Sequence, residues 1–148
     1  MSDARPRVQE RGKVIPCGDD GTHEWIDLDR SYITERYNRL ARLIPFFDWL
    51  FFQPPGFRRN AVERLDLKPG SHVLEIGCGT GRNLPYLSQA VGPTGRVYGA
   101  DLSPGMLAKA QDLCNRNRWT NVELIECDAA EFRAPVPLDG AMFGLSYN

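Results

Sequence analysis

The chain has 148 residues, 42% of them hydrophobic and 25% charged, with a formal net charge of −1, which suits one globular domain around one core. That balance gives no whole-molecule field to gather nucleic acid or an anionic membrane surface, and no uncharged apolar run approaches the ~20 residues that span a bilayer. The four cysteines, Cys17, Cys78, Cys114 and Cys127, include no CxxC pair, so neither a zinc site nor a redox dithiol is indicated and free thiols in a reducing cytoplasm are expected.

Residues 1–28 mix Pro, Gly, Asp and Arg without periodicity and are expected to form an irregular or mobile N-terminal segment, with the domain proper over residues 29–148. The basic start is followed only by Val14-Ile15-Pro16, too short for the apolar region of an export signal, so a cytoplasmic location is expected. Cys17 and His23 lack a third or fourth ligand nearby, and no metal is expected.

From about Asp29 the pattern turns helical, with Leu40, Leu43, Ile44, Phe47, Leu50 and Phe51 on one stripe that Pro54-Pro55 stops. A second short helix is predicted over roughly Phe57 to Leu65, ending in the Lys68-Pro69-Gly70 turn. Apolar, β-rich runs then recur at 73–76, 97–100, 122–125 and 141–145, separated by helical or irregular stretches. Strands joined in this way must be parallel, which predicts an α/β, doubly wound sheet with helices on both faces. The helix after the second run is well marked: Ser103 caps it, Pro104 fits its first turn, and Met106, Leu107, Ala110, Leu113 and Cys114 form its inward stripe.

Val73-Leu74-Glu75-Ile76 runs directly into Gly77-Cys78-Gly79-Thr80-Gly81, after which Leu84, Leu87 and Val91 open a helix. Glycines there let the backbone turn tightly and lie against a ligand, while the free amides of the helix start attract a negative group. Asp101, twenty positions after Gly81, ends the second strand where a carboxylate can accept bonds from both ribose hydroxyls. Loop and acid together specify a nucleoside. A nicotinamide or flavin dinucleotide favours G-x-G-x-x-G, whereas the last position of that pattern here is Arg82 and the spacing is G-x-G-x-G.

Taken together, VLEIGCGTG at 73–81, VYGADLSPGML at 97–107, VELIECDAAEF at 122–132 and LDGAMFGLSYN at 138–148 resemble the ordered motifs of class I S-adenosylmethionine-dependent methyltransferases. The resemblance implies a Rossmann-like sheet and S-adenosyl-L-methionine as cofactor. It implies that Gly77, Gly79 and Gly81 pass beneath the methionine part, with Glu75 and Thr80 near its amino and carboxylate groups and Cys78 within the loop. Asp101 would hold the ribose, Leu102 and Met106 the apolar side of the adenine, and Asp128 with Ala129 its amino edge; the Gly144 backbone would approach the methionine ammonium. Tyr37-Asn38-Arg39-Leu40-Ala41 is similar to the Tyr-Asp-x-x-Ala lead-in of ubiquinone and menaquinone C-methyltransferases and bacterial phosphatidylethanolamine N-methyltransferases, whose tyrosine lies over the cofactor, although Asn38 departs from the acid. Cys78 and Cys127 read as packing thiols, and no catalytic residue is named.

The family sheet has seven strands, and the chain ends at Asn148, just after the fourth. The expectation is therefore a methyltransferase fold incomplete after strand four, carrying the cofactor half of the site and leaving its fourth strand as an apolar edge. The aromatic excess of Phe46, Phe47, Trp49, Phe51 and Phe52, with Arg58 and Arg59 beside Phe57, is covered either by the sheet domain or by a lipophilic substrate or membrane surface. The favoured acceptor is a small molecule, a quinone precursor or phospholipid amine. The alternatives are a non-catalytic cofactor-binding fragment, a half completed by another chain or a second copy along that edge, and, less favoured, an NAD-type oxidoreductase.

Overall fold

A computed structural model of the chain describes residues 15–16 and 56–144. Strands β1 (Ile15–Pro16), β2 (His72–Ile76), β3 (Arg96–Asp101), β4 (Val122–Glu126) and β5 (Gly140–Phe143) form one sheet in the order β1-β4-β3-β2-β5. Every neighbouring pair is parallel, as the alternation of strands and helices requires. Helices α1 (Phe57–Glu63), α2 (Leu84–Val91) and α3 (Pro104–Asn117) complete the described elements. The helix expected before Pro54 lies outside the described residues, and so do Tyr37, the aromatic stretch, Cys17 and His23.

Alternation along the strands sorts the core into two layers. Val73, Val97 and Leu124 face a cluster that takes Val62 from α1, Leu84, Leu87 and Val91 from α2, and Leu107, Ala110 and Cys114 from α3. Leu74, Tyr98, Ala100 and Ile125 face the other way, where Phe132, Val136 and Leu138 pack on them. Helices were expected on both faces. Among the described residues all three helices contribute to the first layer, and the second is packed by the irregular stretch between β4 and β5.

The helix boundaries have local causes. Ser103 is extended at φ −94° and its side chain accepts from the Met106 amide, with Pro104 following in the first turn; that is the cap read from sequence. Arg118 ends α3 in the left-handed region at φ 56°. The C-terminus of α2 is held differently: Asn121, buried before β4, donates from Nδ2 to the Ser88 and Gly92 carbonyls at 3.0 and 2.9 Å and accepts from Ser88 Oγ at 2.8 Å. One side chain thus adds a second donor to two carbonyls that already accept from the Gly92 and Gly95 amides, and so ties the end of α2 to β4.

Two expectations are corrected here. Ile15–Pro16, read as irregular, adds a strand to the β4 edge with Ile15 beside Ile125 and Pro16 beside Glu126. Cys127, read as a packing thiol, is disulfide-bonded. Cys78 and Cys114 are free and buried, and burial pushes both thiols upward, Cys114 to about 11.

Candidate cofactor-binding site

The carboxyl ends of β2, β3 and β5 come together at the glycine loop, on the β5 side of the described sheet. Pairing carries Ile76 level with Ala100 on one side and Phe143 on the other. Beyond that point the chain leaves β2 through Gly77, Gly79 and Gly81, all at positive φ, and Cys78 stays tied to the sheet by its amide, which donates to the Ala100 carbonyl at 3.0 Å. The Cys78 side chain turns into the core, where a Cβ on Gly99 would meet its sulfur at 3.2 Å. Only the backbone of Cys78 is therefore offered to a ligand.

Gly79 shows where a ligand has room. At φ +55° it holds a conformation that side chains rarely adopt, and a Cβ built on it would meet nothing within 4 Å. The loop is folded for a reason other than packing against the protein. Gly144 is the opposite case: a Cβ there would sit 2.1 Å from the Gly77 carbonyl oxygen and 3.3 Å from Glu75 Oε1. Its amide donates to the Ile76 carbonyl at 2.7 Å, so the chain leaving β5 lies against the start of the loop.

Two carboxylates face this junction. Asp101, at the end of β3, accepts from the Gly79 amide on Oδ2 at 2.8 Å and from the Ser103 amide on Oδ1 at 2.9 Å. It thereby joins the loop to the start of α3. Burial pushes its carboxyl above the usual range, and the amides of Ser103, Gly79 and Leu102 pull it back. A carboxylate oxygen accepts more than one bond, so both oxygens keep capacity for hydroxyl donors.

Glu75 is the more unusual group. It is 1% exposed in the middle of a parallel sheet, and burial pushes its carboxyl up to about 7, against the lowering effects of Asn83 and Arg58. Oε1 accepts from Asn83 Nδ2 at 2.7 Å, whereas Oε2 is buried without any hydrogen-bond partner. Buried polar atoms are almost always paired. This orphan is open to a donor that the described residues do not supply.

Asn83 and Arg58 are the site residues that sequence reasoning missed. Asn83 stands at the N-cap position of α2 and makes no side-chain cap bond. It spends its amide on Glu75, and its Oδ1 accepts from Arg58 Nη1 at 3.0 Å. A polar residue just before an apolar helical stripe gives no sign in sequence of a bond to a carboxylate eight positions back. Arg58 was grouped with Arg59 and Phe57 as a surface feature; its guanidinium turns to Asn83 instead.

The remaining expected residues surround the same end of the sheet less closely. Met106 is buried in the first turn of α3, while Leu102 and Thr80 are half-buried. Asp128 is half-buried after β4, with Oδ1 accepting from the Ala130 amide at 3.0 Å, and Ala129 is exposed. No described group of three or more His, Cys, Asp or Glu is placed to hold a metal ion, and no described helix is long and apolar enough to cross a membrane.

Residues 73–145 match the family model described as a methyltransferase domain. The chain is 32% identical over 118 residues to a demethylmenaquinone methyltransferase of Desulfitobacterium hafniense (strain Y51), covering 77% of this chain and 47% of that protein. A crystal structure of a SAM dependent methyltransferase from Aquifex aeolicus matches with a TM-score of 0.52 at 29% identity, over 79% of this chain and 57% of that one. A SAM-dependent methyltransferase from Thiobacillus denitrificans in complex with S-adenosyl-L-homocysteine shares the fold, with a TM-score of 0.54 at 24% identity over 64% of this chain and 38% of that one. The chain spans about half the length of the curated relatives it matches.

Proposed function

Because the chain belongs to the class I S-adenosylmethionine-dependent methyltransferases, we propose that the junction of β2, β3 and β5 holds S-adenosylmethionine and serves methyl transfer to a small lipophilic acceptor. The observation that carries this reading is the orphaned Oε2 of Glu75 beside a glycine loop with open space at Gly79. An ammonium group on the ligand would satisfy that oxygen, and a methionine portion laid along the loop brings one to it. A dinucleotide has a pyrophosphate there, which a buried carboxylate repels.

In this reading Asp101 takes the ribose hydroxyls, and Leu102 and Met106 flank the adenine. Asp128 and Ala129 lie at its amino edge, Thr80 lies near the methionine carboxylate, and the backbone of Gly77, Gly79, Gly81 and Gly144 faces the methionine. The cofactor supplies a methyl group on a sulfonium sulfur, whose transfer needs the acceptor aligned within about 3 to 3.5 Å and water kept out. The chain's part in that chemistry is to bind and orient, and no side chain in the described residues is assigned as a base. The names of the relatives support a quinone-like acceptor.

Calorimetric titration tests the cofactor assignment. S-adenosylhomocysteine should bind the 148-residue chain, Asp101→Ala should weaken it at least tenfold, and NAD should give no heat; NAD binding without S-adenosylhomocysteine binding would refute the assignment. A second reading, a cofactor-binding half completed by another strand, is favoured by β5, which pairs only with β2 among the described residues and leaves Phe143 75% exposed. Light scattering separates the two: a concentration-dependent dimer supports the completed half, and a monomer at all concentrations opposes it.

A further inference from the structure

We propose that Arg58 and Asn83 act as positioning residues that fix one oxygen of Glu75 and thereby reserve the other for the cationic amino group of the ligand. The proposal rests on the cofactor reading above. A guanidinium has only donors, so Arg58, bonding at 3.0 Å, must take the Oδ1 of Asn83. That choice leaves the Asn83 NH2 to turn the other way, where it meets Glu75 Oε1 at 2.7 Å. Without Arg58 the Asn83 Oδ1 loses this donor, and the bond to Glu75 Oε1 alone is left to hold the amide in its orientation.

The arrangement joins three elements, Arg58 on α1, Asn83 before α2 and Glu75 in β2, so the pose of one carboxylate depends on the docking of a helix that touches no ligand itself. It also sets the charge balance at the site. Arg58 favours the ionised carboxylate, Asp101 opposes it, and burial opposes it most. The Cys78 thiol, held protonated by its own burial, adds no charge. A ligand ammonium adds the second positive charge, so ligand binding and ionisation of Glu75 favour one another.

The test is a pH series from 6 to 8.5 by calorimetry with two probes, S-adenosylhomocysteine, which carries the amino group, and 5′-methylthioadenosine, which lacks it. With the unaltered chain, affinity for the first probe should rise through a midpoint near 7 and affinity for the second should stay level. Removal of a favourable neighbouring charge moves such a midpoint up by about one unit, or about tenfold in affinity below it. Arg58→Gln should therefore weaken S-adenosylhomocysteine about tenfold at pH 6.5, weaken it little at pH 8.5, and leave 5′-methylthioadenosine unchanged. Arg58→Lys should restore most of the loss, because the ammonium also donates to Asn83 Oδ1. Asn83→Ala should lower affinity for the first probe across the range and spare the second. Equal losses for both probes, or an unmoved midpoint, would overturn the proposal while leaving the cofactor reading intact. Failure of the unaltered chain to bind either probe would overturn the cofactor reading and the proposal with it.

Discussion

Glu75 keeps a carboxylate in a place that disfavours it, and its linkage to pH follows. In the folded chain its carboxyl is pushed from 4.5 to about 7, so the folded state binds the proton more tightly than the unfolded one. Its contribution to stability is full below about pH 4.5 and is lost as pH rises toward 7. Glu75→Gln removes that loss and keeps an acceptor for Asn83, so it should stabilise the ligand-free chain above pH 7 by up to about 3 kcal/mol. Melting temperatures of both forms from pH 5 to 8.5 check it; curves that stay parallel would contradict the assignment. The two glycines contrasted at the loop make a second pair of expectations. Gly79→Ala should lower stability by only about 1 kcal/mol, the strain of a side chain at positive φ, yet reduce S-adenosylhomocysteine binding severely. Gly144→Ala cannot place its methyl beside the Gly77 carbonyl without moving β5, and urea melts should show a loss of several kcal/mol. The positive φ of Gly77, Gly79 and Gly81 and the place of Asp101 at the end of β3 were legible because they are local features, whereas Glu75 entered only through the resemblance. Asn83 and Arg58 were not legible, because a bond between residues 25 positions apart leaves no trace in spacing or periodicity.

Among the elements, the four long parallel strands were recovered to within one or two residues, since each is a buried apolar run bounded by turn residues. The N-terminal strand was invisible for the converse reason. Two residues, one of them proline, are too few to show alternation, and proline is tolerated there only because the strand sits at an edge. Among the described residues Phe132, Val136 and Leu138 cover the second face within an irregular stretch, and the helix expected before Pro54 lies outside them. Asn121 is the clearest case of an element held by one side chain, as its three bonds join the end of α2 to the start of β4. Asn121→Ala removes three buried bonds and leaves the Ser88 hydroxyl without its acceptor, while the Ser88 and Gly92 carbonyls keep the Gly92 and Gly95 amides, and about 1 to 3 kcal/mol should be lost in denaturant melts. S-adenosylhomocysteine affinity should change less than twofold, because the network lies at the opposite end of α2 from the loop.

For the whole molecule, charge and composition identified nothing; the family emerged only when four motifs were taken in order. The cysteines were misread at this scale. Absence of a CxxC pair says nothing about partners distant in sequence, and Cys127 is bonded. Alkylation of the denatured, unreduced chain should modify Cys78 and Cys114 and spare Cys127, with Cys127 becoming reactive only after reductant; mass spectrometry reads the outcome directly. The last strand carries a different kind of dependence. β5 is pinned at one end by Asp139, whose carboxylate accepts from the His72 amide at 2.7 Å while its own amide donates to the His72 carbonyl at 2.8 Å, and at the other by the Gly144 amide on Ile76. The segment that brings Gly144 against the glycine loop is thus the last of the described strands to be made and is held mainly through β2. A ribosome that has not yet released residues 140–144 has produced the loop, the acid and the buried glutamate, but not the segment that lies against Gly77 and Glu75.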